Sequence, residues 1–213
     1  MSTAGPRASE VKLVGGALCL DLVNTVGWRM RAGPEDWERL RDYDDLLDWS
    51  VHAGALGAFE GKRLSRLAKR HPKETEAALA RARALREAVY RILMRLIDGL
   101  SPTAEDLAII NAELARAPTR RSLVRSGARI GWDAPADSDR LDRMLSPLVW
   151  SAADLMASHR TQRVKQCGGE GCGWLFVDES RNASRRWCSM ESCGNRAKAK
   201  RHYARHRGKE NGR

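Results

Sequence analysis

A chain of 213 residues, 42% hydrophobic and 31% charged, is long enough to bury a sizeable core, as one domain or as a domain with a small appendage. No stretch approaches the about 20 apolar residues of a membrane span, and no apolar segment follows Met1–Arg7 as in a secretory leader, so the expected address is the cytoplasm. The net charge of +11 is unevenly spread: residues 1–159 hold 24 Lys+Arg against 22 Asp+Glu, and residues 160–213 hold 14 against 5. A segment so basic calls for a polyanionic partner, with nucleic acid ahead of an anionic membrane surface.

In chain order, the first apolar run is Val11–Val26. Gly15-Gly16 splits it, which predicts a strand, a tight turn and a second extended or buried segment. Asp21, Asn24 and Thr25 interrupt the run. Short polar side chains of this kind cap and bond locally, and the alternative is the polar floor of a ligand pocket. Cys19 is far in sequence from the other cysteines and reads as a plain buried thiol.

Helices are predicted next: Asp42–Leu56 with Leu46, Leu47, Trp49 and Val51 as its apolar side, then Ala58–Arg70, closed by Pro72. The longest, Lys73–Ile97, carries Leu79, Leu85, Val89, Ile92, Leu93 and Leu96 at helical spacing. Ser101 as N-cap with Pro102 at the first helical position starts another helix, to about Ala117. Thr119–Trp132 reads as a β-hairpin about Ser126-Gly127, and Asp137–His159 as a helix that Pro147 kinks or breaks. The boundary before the last segment falls at about residues 160–165.

That segment contains Cys167 and Cys172, then Cys188 and Cys193, with four residues inside each pair and fifteen between the pairs. In a reducing compartment such a cluster is a metal site rather than a pair of disulfides. Four thiolates select one tetrahedral Zn²⁺, and they leave no open position, so the ion is structural. The alternative is a redox or fortuitous cluster. Gly168, Gly169, Gly171 and Gly173 favour the metal, because a knuckle must wrap its backbone around the ion. Trp174–Val177 supplies a short strand and Trp187 an aromatic neighbour. So small a lobe depends on the metal for folding energy, on the order of 10 kcal/mol, so a chelator is expected to melt it and spare the helical part. With zinc and four thiolates the segment still carries about +7.

After Cys193 a helix is predicted with Arg196, Lys200 and Arg207 within about 40° of one another. Lys198, Arg201 and Arg205 form a second stripe about 140–200° round. Ala199 and Tyr203 lie between the stripes, a seam expected to rest on the zinc lobe. A helix basic on two sides suits a nucleic-acid groove better than burial. Arg181, Asn182, Arg185 and Arg186, in the loop between the cysteine pairs, add donors for phosphates and base edges.

The stretch CGWLFVDESRNASRRWCSMESCGNRAKAKRHYARHR resembles the CGNR zinc finger, through Cys193-Gly194-Asn195-Arg196. GGALCLDLVNT resembles the start of the ABATE domain that commonly precedes it, in a family described as stress-induced transcription regulators. The resemblance implies zinc on the four cysteines, DNA binding by the CGNR end and a regulatory N-terminal domain. The expected architecture is mainly α with small β elements (α+β): a multihelical domain over residues 1–160 and a treble-clef-like zinc finger over 161–213. The expected function is a non-enzymatic transcription regulator bound to double-stranded DNA, with a small-molecule effector at the N-terminal domain, the pocket candidates being Asp21, Asn24 and Thr25. An RNA or single-strand binder stacking bases on Trp174, Trp187 and Tyr203 is one rival, and a zinc-stapled module that meets an acidic protein is another. A homodimer would add specificity, although no heptad seam marks an interface. His52, His71 and His159 are isolated, and no nucleophile or phosphate-loop motif points to an enzyme.

Overall fold

The computed structural model describes residues 7–31, 37–118, 123–127, 129–132 and 139–210, with the side chains of residues 205–210 outside the description, as are most of those in the 123–132 hairpin. The helices are α1 (Leu18–Val23), α2 (Tyr43–His52), α3 (Ala58–Ala68), α4 (Pro72–Ile97), α5 (Ala104–Arg116), α6 (Leu145–Met156) and α7 (Asn195–Glu210). Two antiparallel pairs complete the fold: β1 (Leu123–Ser126) with β2 (Arg129–Trp132), and β3 (Val164–Gln166) with β4 (Leu175–Val177). The chain is mainly α with small β elements, as the sequence predicts.

Most of the helical domain follows its sequence pattern. On α4, Leu85, Val89, Ile92 and Leu93 are buried as the core stripe, while Leu96, one turn further on, is exposed. On α2, Leu46, Leu47 and Trp49 face the core, and the Asp42 side chain accepts the Asp45 N–H as N-cap. Two boundaries shift. The fifth helix starts later than its Ser-Pro signal suggests, because Thr103 rather than Ser101 accepts the N-cap bond from Asp106 N–H. The Ser101 carbonyl is taken instead by Arg95 Nε. Pro147 does not kink α6, because the helix begins at Leu145; it therefore lies in the first turn, where a missing N–H costs nothing. Asp137, Ser122 and Ala128 lie outside the described residues.

The largest departure is the first apolar run. Leu18–Val23 is not extended but forms α1, packed against α4 and α6. Cys19, Leu20, Leu22 and Val23 are all fully buried. A helix of fewer than two turns that is buried at every position but Leu18 shows no amphipathic period, so it reads like a core strand. Burial pushes the Cys19 thiol up to about 12 and keeps it protonated.

The three polar residues of the run are bonded within the protein. Asp21 accepts the Gly15 N–H at 2.8 Å. Thr25 donates to the Leu22 carbonyl and accepts from Arg86. Asn24 uses both ends of its amide on one distant residue: Nδ2 donates to the Leu175 carbonyl and Oδ1 accepts the Leu175 N–H, each at 2.9 Å. An asparagine after α1 thus pairs like a strand neighbour with β4, and Val177 N–H donates to the Gly15 carbonyl beside it. Leu175, Val177 and Val164 join the helical core, so the C-terminal lobe is built onto that core.

Asn24→Ala strips partners from a buried N–H and a buried carbonyl at about 1–3 kcal/mol each. Urea unfolding of this variant is expected to show a loss of about 2–5 kcal/mol, and an unchanged midpoint would contradict the clamp. Asp21 gives a pH-dependent test. Burial raises its carboxyl to about 6, against the pull of the Gly15 and Val14 N–H groups and of His52. The folded chain then holds this proton more tightly than the unfolded chain, so the contribution is full below about pH 4 and declines as pH rises through about 6. Asp21→Asn keeps the acceptor for Gly15 and removes the buried charge. Thermal melts are expected to show it more stable than the parent at pH 7.5, by up to about 3 kcal/mol, and level with it at pH 4.

Candidate metal centre and nucleic-acid interface

The C-terminal lobe starts from β3, whose Cys167 end turns through the glycine knuckle to Cys172 and back along β4. Cys167 N–H donates to the Trp174 carbonyl at 2.8 Å, and Cys172 N–H to the Gly169 carbonyl at 2.9 Å. The knuckle leaves no room for side chains: a Cβ on Gly169 would stand 2.8 Å from Cys193 Sγ. Gly171 and Gly173 have φ of +75° and +72°, in the left-handed region, and their backbone lies against Arg31 and Arg29. Arg29 N–H donates to the Cys172 carbonyl and Met30 N–H to the Gly171 carbonyl, which fastens the knuckle to the N-terminal domain.

Cys167, Cys172, Cys188 and Cys193 are buried, and their sulfurs all lie within 4.8 Å of one another. Cys172–Cys188 and Cys188–Cys193 are 3.9 and 3.6 Å apart. A tetrahedron with Zn–S bonds of about 2.3 Å has S–S edges of about 3.8 Å. The donor set is four soft thiols, and backbone N–H groups of Gly169 and Cys188 point at Cys167 Sγ, as they do at a thiolate. The site fits one structural zinc ion. Its core is the four cysteines around Phe176, with Val14, Trp174 and Trp187 packed outside.

The Cys-Gly-Asn-Arg stretch is the hinge from metal to helix. Gly194 is buried where a Cβ would meet Met190 Sδ at 2.8 Å, and Asn195 Nδ2 donates to the Glu191 carbonyl. Arg196 turns back, with Nη2 donating to Cys193 Sγ at 2.9 Å and its guanidinium 4.6 Å over the Trp28 ring. Arg31 covers Trp28 at 4.0 Å, so the indole is stacked by two cations, one from each half of the chain. Trp28 itself has φ of +48°, strained for a bulky residue and held there by its neighbours' bonds to the knuckle.

The predicted basic residues divide. Lys198, Lys200 and Arg201 are exposed on α7, Arg196 is exposed beside the metal, and Arg181, Asn182 and Arg186 are exposed in the loop. The Arg205 side chain lies outside the described residues. Arg185 turns inward: its guanidinium donates to the carbonyls of Val14, Trp187 and Cys188 and lies 4.1 Å over the Phe176 ring. The loop is set by Asp178, which accepts from Ser180 and the Arg185 N–H and pairs with Lys165 at 2.7 Å. Burial works against that carboxylate, but these partners hold its pKa well below the usual range. The expected apolar seam of α7 also differs: Ala199 is exposed and Tyr203 is 70% exposed, so neither rests on the zinc lobe. Trp174 is committed through Nε1 to the Val26 carbonyl, and Trp187 packs on the cysteines, so these two indoles are not free stacking platforms.

Arg31, Arg186, Arg196, Lys200 and Arg201 converge on one cleft of about 490 Å³ beside the metal, walled by Trp28 and Trp187. Glu170 is the one carboxylate among its described lining residues, and it is paired with Lys200. Trp28 and Arg31 were not singled out in the sequence, where only the Trp-Arg alternation of Gly27-Trp28-Arg29-Met30-Arg31 hints at them. Of the three pocket candidates, Asn24 reaches a cavity wall, while Asp21 and Thr25 serve the core.

A helical domain joined to a four-cysteine zinc lobe with a basic terminal helix is the architecture of a zinc-finger protein. Residues 16–159 match the ABATE family, described as "Putative stress-induced transcription regulator", and residues 163–206 match the CGNR zinc finger. The chain belongs to the ABATE family and carries the CGNR finger at its C-terminal end. No individual protein of curated description matches it. Among the described residues no helix is long and apolar enough to cross a membrane.

Chelation is expected to release one zinc per chain in a colorimetric metal assay. Because β4 belongs to the helical core, the melting temperature of the helices should fall with it rather than stay unchanged. Gly169→Ala is expected to weaken zinc retention at least tenfold in competition with a chelator, whereas Gly54→Ala, at a positive φ remote from the metal, should leave it alone. Equal retention in the two variants would contradict the packing of the knuckle.

Proposed function

We propose that the protein is a transcription regulator that binds double-stranded DNA through the face made by α7, Arg186 and Arg31, under the control of its helical domain. The observation that carries this reading is the convergence of five cations from three separate stretches of chain on one exposed cleft. Charge scattered for solubility has no reason to converge, and α7 is seated by a metal ligand two residues before its start. Phosphates are the natural guests of such a face, with Arg forks and Lys point charges supplying the contacts. The exposed sides of α7 leave it free to lie along a groove. The zinc holds this geometry and has no catalytic task in the reading, since four thiolates complete its shell.

Binding of a random-sequence duplex, followed by fluorescence anisotropy, is expected to fall steeply with salt, with a log–log slope of about −4 to −5 for five phosphate contacts. Arg186→Ala, Lys200→Ala and Arg201→Ala should each reduce that slope by about one unit. Arg185→Ala should instead lower the melting temperature, because the carbonyls of Val14, Val177, Trp187 and Cys188 lose their donor. A flat salt dependence, or tighter binding to single strands than to duplex, would sink the reading. Competition by any polyanion irrespective of length would favour an acidic protein partner.

A further inference from the structure

A second cleft, of about 320 Å³, lies on the other side of Trp28, between the N-terminal domain and the zinc lobe. Its walls include Gly27, Trp28, Trp37 and Arg39 from the first and Trp174 and Arg196 from the second. The volume is at the small end for ligand sites, about 300–1,000 Å³, and admits a molecule of one or two rings. Arg39 is the unusual feature. It is only 8% exposed, yet among the described residues its guanidinium has no hydrogen bond and no ion pair within 4 Å. Its neighbour Glu38 is committed to Arg86 and to the Leu40 N–H. Nη2 of Arg39 stands 3.7 Å from where a Gly27 Cβ would be, on the cavity wall, and the guanidinium is 5.9 Å from the Trp37 ring centroid.

Among the described residues the sealed polar atoms without a partner are Trp49 Nε1 and Ser50 Oγ; the Arg39 nitrogens instead open on the cleft, where a guest anion can pair with them. Burial lowers the pKa of Arg39. The other polar groups nearby are spent: Asn24 on Leu175 and Trp174 Nε1 on Val26. At the mouth, Lys12 is paired with Glu191, and Glu10 accepts the Arg7 N–H. What is left to a guest is the free edges of Trp28, Trp37 and Trp174, the Arg39 guanidinium, the Ser192 hydroxyl and the edge of Arg196.

We infer that this cleft is a binding site for a small planar aromatic carboxylate, its ring set among Trp28, Trp37 and Trp174 and its carboxylate paired with Arg39. A carboxylate is the planar anion that an Arg fork meets in a bidentate manner, and a flat ring is what indole walls accept. Cys172, Cys188 and Cys193 also line the cleft, so its occupant touches the shell of the metal that seats α7. Occupancy therefore reaches Arg196, which lines both clefts. This last step rests on the proposed DNA face, while the site itself does not.

The test uses the zinc-loaded full chain without DNA, with benzoate and indole-3-carboxylate as probes and benzamide and indole-3-carboxamide as their uncharged matches. Tryptophan fluorescence and calorimetry are expected to show saturable binding of the acids, at least tenfold tighter than of the amides. Arg39→Gln, checked for zinc content and far-UV CD, should remove that preference. Gly27→Val, where a Cβ has ordinary room with its nearest atom at 3.6 Å, should weaken acid and amide alike by narrowing the cleft. The inference is overturned by equal binding of acids and amides, by Arg39→Gln binding the acids as the parent does, or by no saturable binding of any probe. A separate duplex titration with and without saturating acid reads the coupling. An unchanged DNA affinity there removes the regulatory link and leaves the binding site standing.

Discussion

The sulfurs of four cysteines, all within 4.8 Å of one another, are the constraint on which the C-terminal quarter of the chain depends. The lobe has one large apolar side chain fully buried beside them, Phe176, and that alone cannot offset the chain entropy of ordering the knuckle, the loop and the start of α7. The metal supplies the missing cohesion, and in doing so it fixes backbone directions. Cys193 sits one turn from the exposed cations of α7, Cys188 carries the carbonyl that Arg185 caps, and Cys172 offers the carbonyl that Arg29 N–H reaches. These three ligands thus tie the ion to different neighbouring elements.

The second cohesion is the graft of the lobe onto the helical core. Asn24 reads both backbone groups of Leu175, Trp174 donates to the Val26 carbonyl, and Leu175 and Val177 enter the same apolar cluster as α1 and α6. The two family segments are therefore adjacent in sequence but continuous in packing. A rigid junction of this kind lets a change beside Trp28 or Arg39 act on the metal shell directly, with no linker to absorb it. It also explains the buried polar residues of the first apolar run, which make the graft and support the core around it.

How much of this the sequence discloses depends on how local the deciding interaction is. The helices with long amphipathic patterns, α2 and α4, and the metal ligands with their regular spacing are legible because each signal lies within one segment. α1 is not, because a six-residue helix buried at every position but Leu18 carries no period. The role of Asn24 is hidden because its partner stands 151 positions away. Arg185 and Arg186 look alike as neighbours in a basic loop, and only the anchoring of that loop on Asp178 sends one inward to cap carbonyls and the other outward to the cleft. Arg39 carries no motif at all. Its meaning comes from the missing partner, which can be seen only once the walls around it are in place.

Arg196 is where these constraints meet. Its guanidinium touches the sulfur of Cys193, stacks on Trp28 and lines both clefts. A single fork cannot give full-strength bonds to the Cys193 sulfur and to a DNA phosphate while a guest ring in the neighbouring cleft presses on its edge, since each favours its own orientation of the same planar group. Linkage then requires that whichever partner draws Arg196 alters the affinity of the others by a reciprocal amount. The arginine that closes the Cys-Gly-Asn-Arg stretch is, in the proposed reading, less a base-reading side chain than the shared contact through which an occupant of the tryptophan cleft and a phosphate on the basic face are coupled.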